Sequence, residues 1–301
     1  ALGGLLALAV AMGIGRFAFT PILPLMQEDA GLTVAAGGWL ASANYAGYLA
    51  GALAATAVGI GPQLAIRAGM VAIAAGTLEM AFATGLGAWM LLRALPGFAS
   101  AWVLVNVSTW SLDQLGKAGR SDLGGVVYAG VGVGIIFAGL VCMALGKAKL
   151  GSAEAWQVLG WSAAAATLLA WKVSGSGTFV CTAAAGVRAS ARDIPDFWRL
   201  VFCYGAFGLG YIIPATFLPV MAKRIVSDPL GFGWAWPAFG AAAVASTLLA
   251  ARVTRASHSR MQLRPRSHRP SVPGSASLSL ASPTVDSPAS AGGSLRRSDS
   301  G

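Results

Sequence analysis

The chain has 301 residues, of which 56% are hydrophobic and only 11% are charged. A typical soluble domain is about 25% charged, so this chain lacks the polar residues that a water-exposed surface needs. The formal net charge of +10 does not indicate nucleic-acid binding, because seven of the 21 basic residues follow Arg252 and most others lie in short predicted loops. These features exclude an ordinary soluble protein and predict an all-α polytopic membrane protein.

Eight apolar segments, taken in chain order, predict helices that approach the roughly 20 residues needed to cross a bilayer. We place them near 2–26, 37–59, 67–87, 88–112, 123–146, 155–173, 196–222 and 233–253. The first six form a predicted N-terminal bundle over 1–173, and a central loop over 174–195 separates them from the last two helices at 196–253. Residues 254–301 hold 13 Ser, 7 Arg and 5 Pro without Phe, Tyr, Trp or Ile, so we expect a disordered tail.

One motif occurs twice. Residues 13–26 read GIGRFAFTPILPLM and residues 208–221 read GLGYIIPATFLPVM, an offset of 195 that Gly38-Trp39 and Gly233-Trp234 share. Six helices, a loop and a restart predict a parallel repeat of the kind that builds transporter halves, with 196–253 as the first two helices of the second half. The abrupt change near residue 254 favours a frameshifted gene; a natural regulatory tail is the alternative.

Loop charges predict the orientation. The predicted loops on one face carry six basic residues near the membrane, whereas those on the other face carry four. Because cytoplasmic loops carry excess Lys and Arg, we expect a cytoplasmic N-terminus and a cytoplasmic central loop.

Arg16 lies in the middle of the first predicted helix, where burying an arginine costs about 2.5–3.5 kcal/mol. Such residues face the bundle interior or a water-filled cavity, so we expect Arg16 to hold an anionic group of a substrate. Thr20, one turn later, shares that predicted face. The alternative is a structural ion pair between Arg16 and Glu79.

The second predicted helix offers Asn44, Tyr45 and Tyr48, with Asn44 and Tyr48 on one face. They could bind substrate or bond another helix, and the sequence does not rank these options. Gly47 and Gly51 form a GxxxG motif that predicts close packing of another helix.

Two carboxylates and four prolines are further candidates for a functional role. Glu79, predicted deep in the third helix, and Asp113, at the end of the fourth, are candidates for proton coupling, because apolar surroundings favour the protonated form. They could equally be partners of Arg16 or Arg93. The prolines either kink the helices for gating or end them; they are Pro21, Pro24, Pro214 and Pro219.

Metal, cofactor and catalytic sites are not predicted. The cysteines form no CxxC pair, and both histidines, His258 and His268, lie in the tail. An enzyme would need converging catalytic groups that the helices do not offer.

The stretches LALAVAMGIGRFAFTPILPLMQ, GWLASANYAGYLAGAL and FGWAWPAFGAAAVASTL resemble the YbfB/YjiJ-type branch of the major facilitator superfamily. The resemblance implies a multi-pass inner-membrane transporter of small solutes. Arg93-Ala94-Leu95-Pro96-Gly97 matches the superfamily's RxxxG pattern, which implies proton handling by Arg93. GIGPQLAIRAG keeps a glycine and Arg67 of the usual loop motif but lacks its acidic residue.

We therefore predict a monomeric secondary transporter of small organic solutes, working by alternating access in the lipid bilayer, with an anionic substrate and proton coupling both left open. The alternatives are a truncated member that no longer transports and, from another class, a membrane sensor or enzyme.

Overall fold

The computed structural model describes residues 1–173, 194–225 and 233–262, and these residues form helices without strands. The helical segments are α1 (Leu2–Leu8), π1 (Ala9–Arg16), α2 (Phe19–Asp29), α3 (Val34–Ala57), α4 (Pro62–Glu79), α5 (Leu86–Lys117), α6 (Gly124–Lys147), α7 (Ser152–Val173), α8 (Ile194–Ile225) and α9 (Ala235–Gln262). The first three follow one another over Leu2–Asp29, which we call the first span. The predicted all-α polytopic bundle is confirmed.

Five helices within the described residues are long and apolar enough to cross a membrane. They are the first span, α5, the segment Ser121–Lys147, Phe197–Met221 in α8 and Ala235–Val253 in α9. The other three predicted spans correspond to α3, α4 and α7.

The first span is broken in its middle. The π1 segment ends at Arg16, where the N–H of Phe17 donates to Met12 O, five residues back, at 3.0 Å. The N–H of Thr20 donates to Phe17 O at 3.2 Å, and Pro21 has no N–H. The carbonyl groups of Gly15 and Arg16 therefore lose the donors that a regular helix would supply.

The boundaries of α4 differ from the prediction of 67–87. The helix begins at Pro62, because a proline is favoured at the first helical position, where its missing N–H is not needed. It ends at Glu79, and Gly85, with φ of 87°, precedes α5. The expectation that Glu79 lies deep in a helix was wrong: it is the last residue of α4 and its side chain is exposed.

The GxxxG motif of α3 packs against α5, as its small residues predict. A Cβ atom added at Gly47 would lie 2.1 Å from Ala94 O, and one at Gly51 would lie 2.2 Å from Phe98 O. The two backbones approach so closely that only glycine fits at these two positions.

Glycines on α6 allow the first span and α9 to pack closely against this helix. A Cβ atom at Gly130 would lie 2.2 Å from Leu5 O in the first span, whereas one at Gly132 would lie 2.6 Å from Gly240 O in α9. At Gly139 the added atom would meet Pro237 of α9 at 2.7 Å. The glycine richness of this helix is thus explained by close packing on two sides.

The prolines do not end the helices that contain them. α2 continues through Pro24 to Asp29, and α8 continues through Pro214 and Pro219 to Ile225. The alternative that these prolines terminate the helices was therefore wrong, and a role in gating stays a prediction.

The last helix extends past the boundary predicted at residue 253. It reaches Gln262, because residues 254–262 contain neither Pro nor Gly and the first proline of the tail is Pro265. Residues 263–301, and residues 174–193 of the predicted central loop, lie outside the described residues.

Candidate functional site

The break in the first span places Arg16 among aromatic rings. Its guanidinium carbon lies 4.1 Å from the ring centre of Tyr48, 5.5 Å from that of Tyr45 and 5.3 Å from that of Phe17. A cation over an aromatic face is attracted by the negative charge of that face. The side chain is half-buried, so part of the cation can still reach a bound solute.

No carboxylate neutralises Arg16 among the described residues. The ion pairs there join Lys117 to Asp113 and Arg120 to Asp122, and neither involves Arg16. The Nε atom of Arg16 is buried without a hydrogen-bond partner in the described part of the chain. The alternative that Arg16 pairs with Glu79 was wrong, because the exposed Glu79 lies at the end of α4.

Arg93 of α5 holds the broken part of the first span. Its side chain is 2% exposed, and it donates to Arg16 O at 3.1 Å and to Gly15 O at 3.4 Å. Its guanidinium also lies 5.0 Å from the ring centre of Phe19. Arg93 therefore supplies donors to the two carbonyl groups that the break leaves without helical partners.

Asn44 of α3 contributes to the same arrangement. Its side-chain nitrogen donates to Arg93 O at 2.8 Å and to Gly15 O at 3.3 Å. Of the two options that the sequence left open, the structure shows Asn44 bonding other helices. Its Oδ1 atom has no hydrogen-bond partner among the described residues, so a contact between Asn44 and a substrate stays a prediction.

Tyr45 connects the site to α8. Its hydroxyl group lies 2.5 Å from Thr216 Oγ1, and Thr216 is 4% exposed. Thr216 also donates to Ile212 O at 2.7 Å. A direct contact thus joins α3 of the predicted first half to α8, the first helix of the predicted second half.

The acidic candidates lie away from the helix interiors. Asp113 is exposed and pairs with Lys117 at 2.6 Å, one turn along α5, and Glu79 ends α4. Of the three residues predicted for proton coupling, only Arg93 lies next to Arg16.

Thr20 is buried just beyond the break in the first span.

The sequence did not single out Thr216 or Trp236 for this region. The ring centre of Trp236 lies 6.3 Å from that of Phe17, and Trp236 stacks on Phe239 at 5.1 Å. Thr216 is a polar residue inside the repeated motif, which is the signal that could have identified it.

Metal binding finds no support in the described ranges, where no group of three or more His, Cys, Asp or Glu side chains could hold an ion. The site contains the half-buried Arg16 cation and the phenolic rings of Tyr45 and Tyr48. These groups lie at the break in the first span, beside the contact between α3 and α8. These groups can bind an anion and do not assemble a nucleophile with a base.

Comparison with known families gives a match over residues 8–268, to the family described as "Uncharacterised MFS-type transporter YbfB". The match includes the first span with Arg16, and it runs past the boundary predicted at residue 253. A comparison with curated proteins found no match.

Proposed function

Because the chain belongs to this family of major facilitator transporters, we propose that it is a secondary active transporter of small organic solutes that works by alternating access. The family and the apolar helices show a multi-pass membrane protein. The proposal adds a monomer in the inner membrane, with its N-terminus in the cytoplasm and an anionic solute as substrate.

The observation that carries the proposal is Arg16. It is a cation inside a membrane-spanning segment, it has no carboxylate partner among the described residues, and three aromatic rings surround it. An intramembrane charge is a functional site by default, because burying it for structure alone is unfavourable. The planar fork of a guanidinium suits a carboxylate, so we propose small carboxylates as the substrate class.

The contact between Tyr45 and Thr216 supports alternating access. It joins helices that the internal repeat assigns to different halves, and it lies beside the Arg16 guanidinium. Rocking of one half against the other would change this contact. Binding of a solute at Arg16 would therefore affect both halves.

Proton coupling stays a prediction. Arg93 lies at the site, but Glu79 and Asp113 lie at the ends of their helices. Uptake driven by an imposed pH gradient, with no effect of Glu79→Gln or Asp113→Asn, would assign the coupling to groups other than these two carboxylates.

A ligand screen tests the substrate class. The purified full chain in mild detergent is heated in the presence of small mono- and dicarboxylic acids, with the uncharged amide of each acid as its control. A ligand that binds only the folded state raises the melting temperature. We expect several acids to raise it and their amides not to.

The same screen on Arg16→Ala provides the matched variant. An acid that stabilises the wild-type chain should leave Arg16→Ala unchanged. Equal stabilisation by acids and amides, or of both proteins, would contradict an anion site at Arg16.

Labelling of single cysteines tests the orientation. In a cysteine-free background, a cysteine at Glu28 should react with an impermeant maleimide from outside the cell, and one at Arg188 only after the membrane is opened. The reverse pattern would contradict a cytoplasmic N-terminus. Arg188 lies outside the described residues, so this experiment also tests the predicted loop.

A further inference from the structure

A small pocket opens at the end of the bundle where α4 begins and α5 and α7 end. It encloses about 20 Å³, which is room for roughly one water molecule, and its wall includes Gln63, Arg67, Trp110 and Trp171. A larger groove of about 520 Å³ runs along the outside of α4, and Gln63, Arg67 and Trp171 line it as well. The three shared residues therefore form the boundary between the pocket and the groove.

The boundary offers a cation and a free donor. The guanidinium carbon of Arg67 lies 4.7 Å from the ring centre of Trp171, and Gln63 is one turn before Arg67 on α4. The Nε2 atom of Gln63 is buried without a hydrogen-bond partner in the described part of the chain. An amide donor and a guanidinium one turn apart can both bond the oxygen atoms of a phosphate group.

Beyond the boundary, the groove is apolar. Leu64, Ala68, Val71 and Ala72 line it along α4, and Leu64 and Val71 are exposed. The sequence predicts α4 as a membrane helix and α4 begins at Pro62, so we place Gln63 and Arg67 near one membrane surface, with the apolar residues extending from there toward the membrane interior. Tryptophan is enriched at this level of a membrane, between headgroups and acyl chains.

We propose that an anionic phospholipid binds at this boundary, with its phosphate group on Arg67 and Gln63 and one acyl chain in the groove along α4. Charge complementarity favours an anionic headgroup, since basic pockets at the ends of membrane helices bind such lipids. The apolar groove favours a lipid over free phosphate, because inorganic phosphate has nothing to place there. The inference depends neither on the substrate of Arg16 nor on which end of the bundle faces the cytoplasm.

Native mass spectrometry tests the proposal. The full chain in mild detergent is incubated with equal amounts of phosphatidylglycerol and phosphatidylcholine of the same acyl chains, and the lipids retained on the protein are counted. We expect phosphatidylglycerol to be retained preferentially. Arg67→Gln should lower that retention about fivefold, the effect of removing one basic residue near an anionic headgroup.

Two further variants separate lipid binding from general effects. Arg120→Gln removes an exposed arginine outside the pocket and should leave retention unchanged. Ala68→Phe keeps every charge but fills the groove, and it should lower retention of phosphatidylglycerol. Melting temperatures confirm that each variant is folded.

Three results would overturn the proposal. They are equal retention of the two lipids by the wild-type chain, equal losses in Arg67→Gln and Arg120→Gln, and displacement of the lipid by excess inorganic phosphate with no effect of Ala68→Phe. The last result would identify the boundary as a site for free phosphate.

Discussion

The first span and α8 carry the same motif in opposite surroundings. In the most apolar part of the first span 72% of the residues are buried, against 11% in the corresponding part of α8. Gly13 meets the backbone of Gly134, and Gly15 meets the side chain of Ser100. The equivalent glycines of α8, Gly208 and Gly210, have open space around the position of a Cβ atom.

The two regions also differ in local structure. The first span changes to a π-helix and breaks at Arg16, whereas α8 continues as an α-helix through its two prolines. Around the break, Arg93 and Asn44 supply donors from neighbouring helices. The shared motif is therefore compatible with a break in the helix, and packing against α3 and α5 stabilises that break in the first span.

Substitution of the paired glycines should give the largest contrast. Gly13→Leu would force a side chain into the backbone of Gly134, 2.3 Å from the added Cβ atom, and should lower the stability by about 3 kcal/mol. Gly208→Leu meets open space, so it should not destabilise the protein and should gain up to about 1 kcal/mol from the better helix propensity of leucine. Melting temperatures of the two purified variants in one detergent measure the contrast.

Equal losses of stability in the two variants would contradict the difference in packing between the first span and α8, because they would mean that Gly208 is packed as tightly as Gly13. Gly13→Ala and Gly208→Ala refine it. The first should still be destabilising, whereas the second should gain up to about 1 kcal/mol from the better helix propensity of alanine.

Removal of Arg93 should give the next largest effect. Arg93→Met keeps an apolar chain of similar length but leaves the carbonyl groups of Gly15 and Arg16 without its two hydrogen bonds. Asn44 still donates to Gly15 O, so only the Arg16 carbonyl loses its donor outright. An unsatisfied buried carbonyl costs about 1–3 kcal/mol, and relief from burying a charge offsets part of this, so we expect a net loss of about 1–2 kcal/mol. Thermal melting measures the loss; wild-type stability in Arg93→Met would show that the break does not need these donors.

Apolar length predicted the existence of the helices, because crossing a bilayer requires it, and the small residues of α3 predicted its packing on α5. The break at Arg16 could not be predicted, since it depends on Arg93 donating to backbone groups 77 and 78 residues away. The boundaries of α4 were missed because Pro62 was taken as part of a loop. The structure brings Arg16, Tyr45 and Tyr48 together, a proximity that the sequence did not predict, and their role in substrate binding stays a prediction. The Thr216 contact likewise needed the fold.

The hydrogen bond between α3, which packs beside the break in the first span, and α8 should contribute less to stability than Arg93 does. Tyr45→Phe removes the hydrogen bond to Thr216 and keeps the ring near Arg16, so it should lower the stability by about 1 kcal/mol. Thr216→Val should cost a similar amount, and the double variant should cost little more than either single one. Additive losses in this cycle would show that Tyr45 and Thr216 do not bond each other.

The smallest effect should come from Glu79. Its side chain is exposed and no ion pair joins it to Arg16, so Glu79→Gln should change the stability by less than about 0.5 kcal/mol. Glu79→Ala should likewise fail to rescue any defect of Arg16→Ala. Rescue of stability in the double variant would mean that the two residues are paired.

Uptake by Arg16 variants tests the central claim most directly. Vesicles containing the wild-type chain, Arg16→Lys or Arg16→Ala are compared for uptake of a radiolabelled carboxylate identified by thermal stabilisation, with Arg120→Gln, the loss of an exposed arginine that pairs with Asp122, as the control. We predict that both Arg16 variants lose at least about tenfold in uptake while they melt normally, because lysine keeps the charge but loses the planar fork. Wild-type uptake in Arg16→Lys together with Arg16→Ala would contradict the assignment of Arg16 as the substrate anchor.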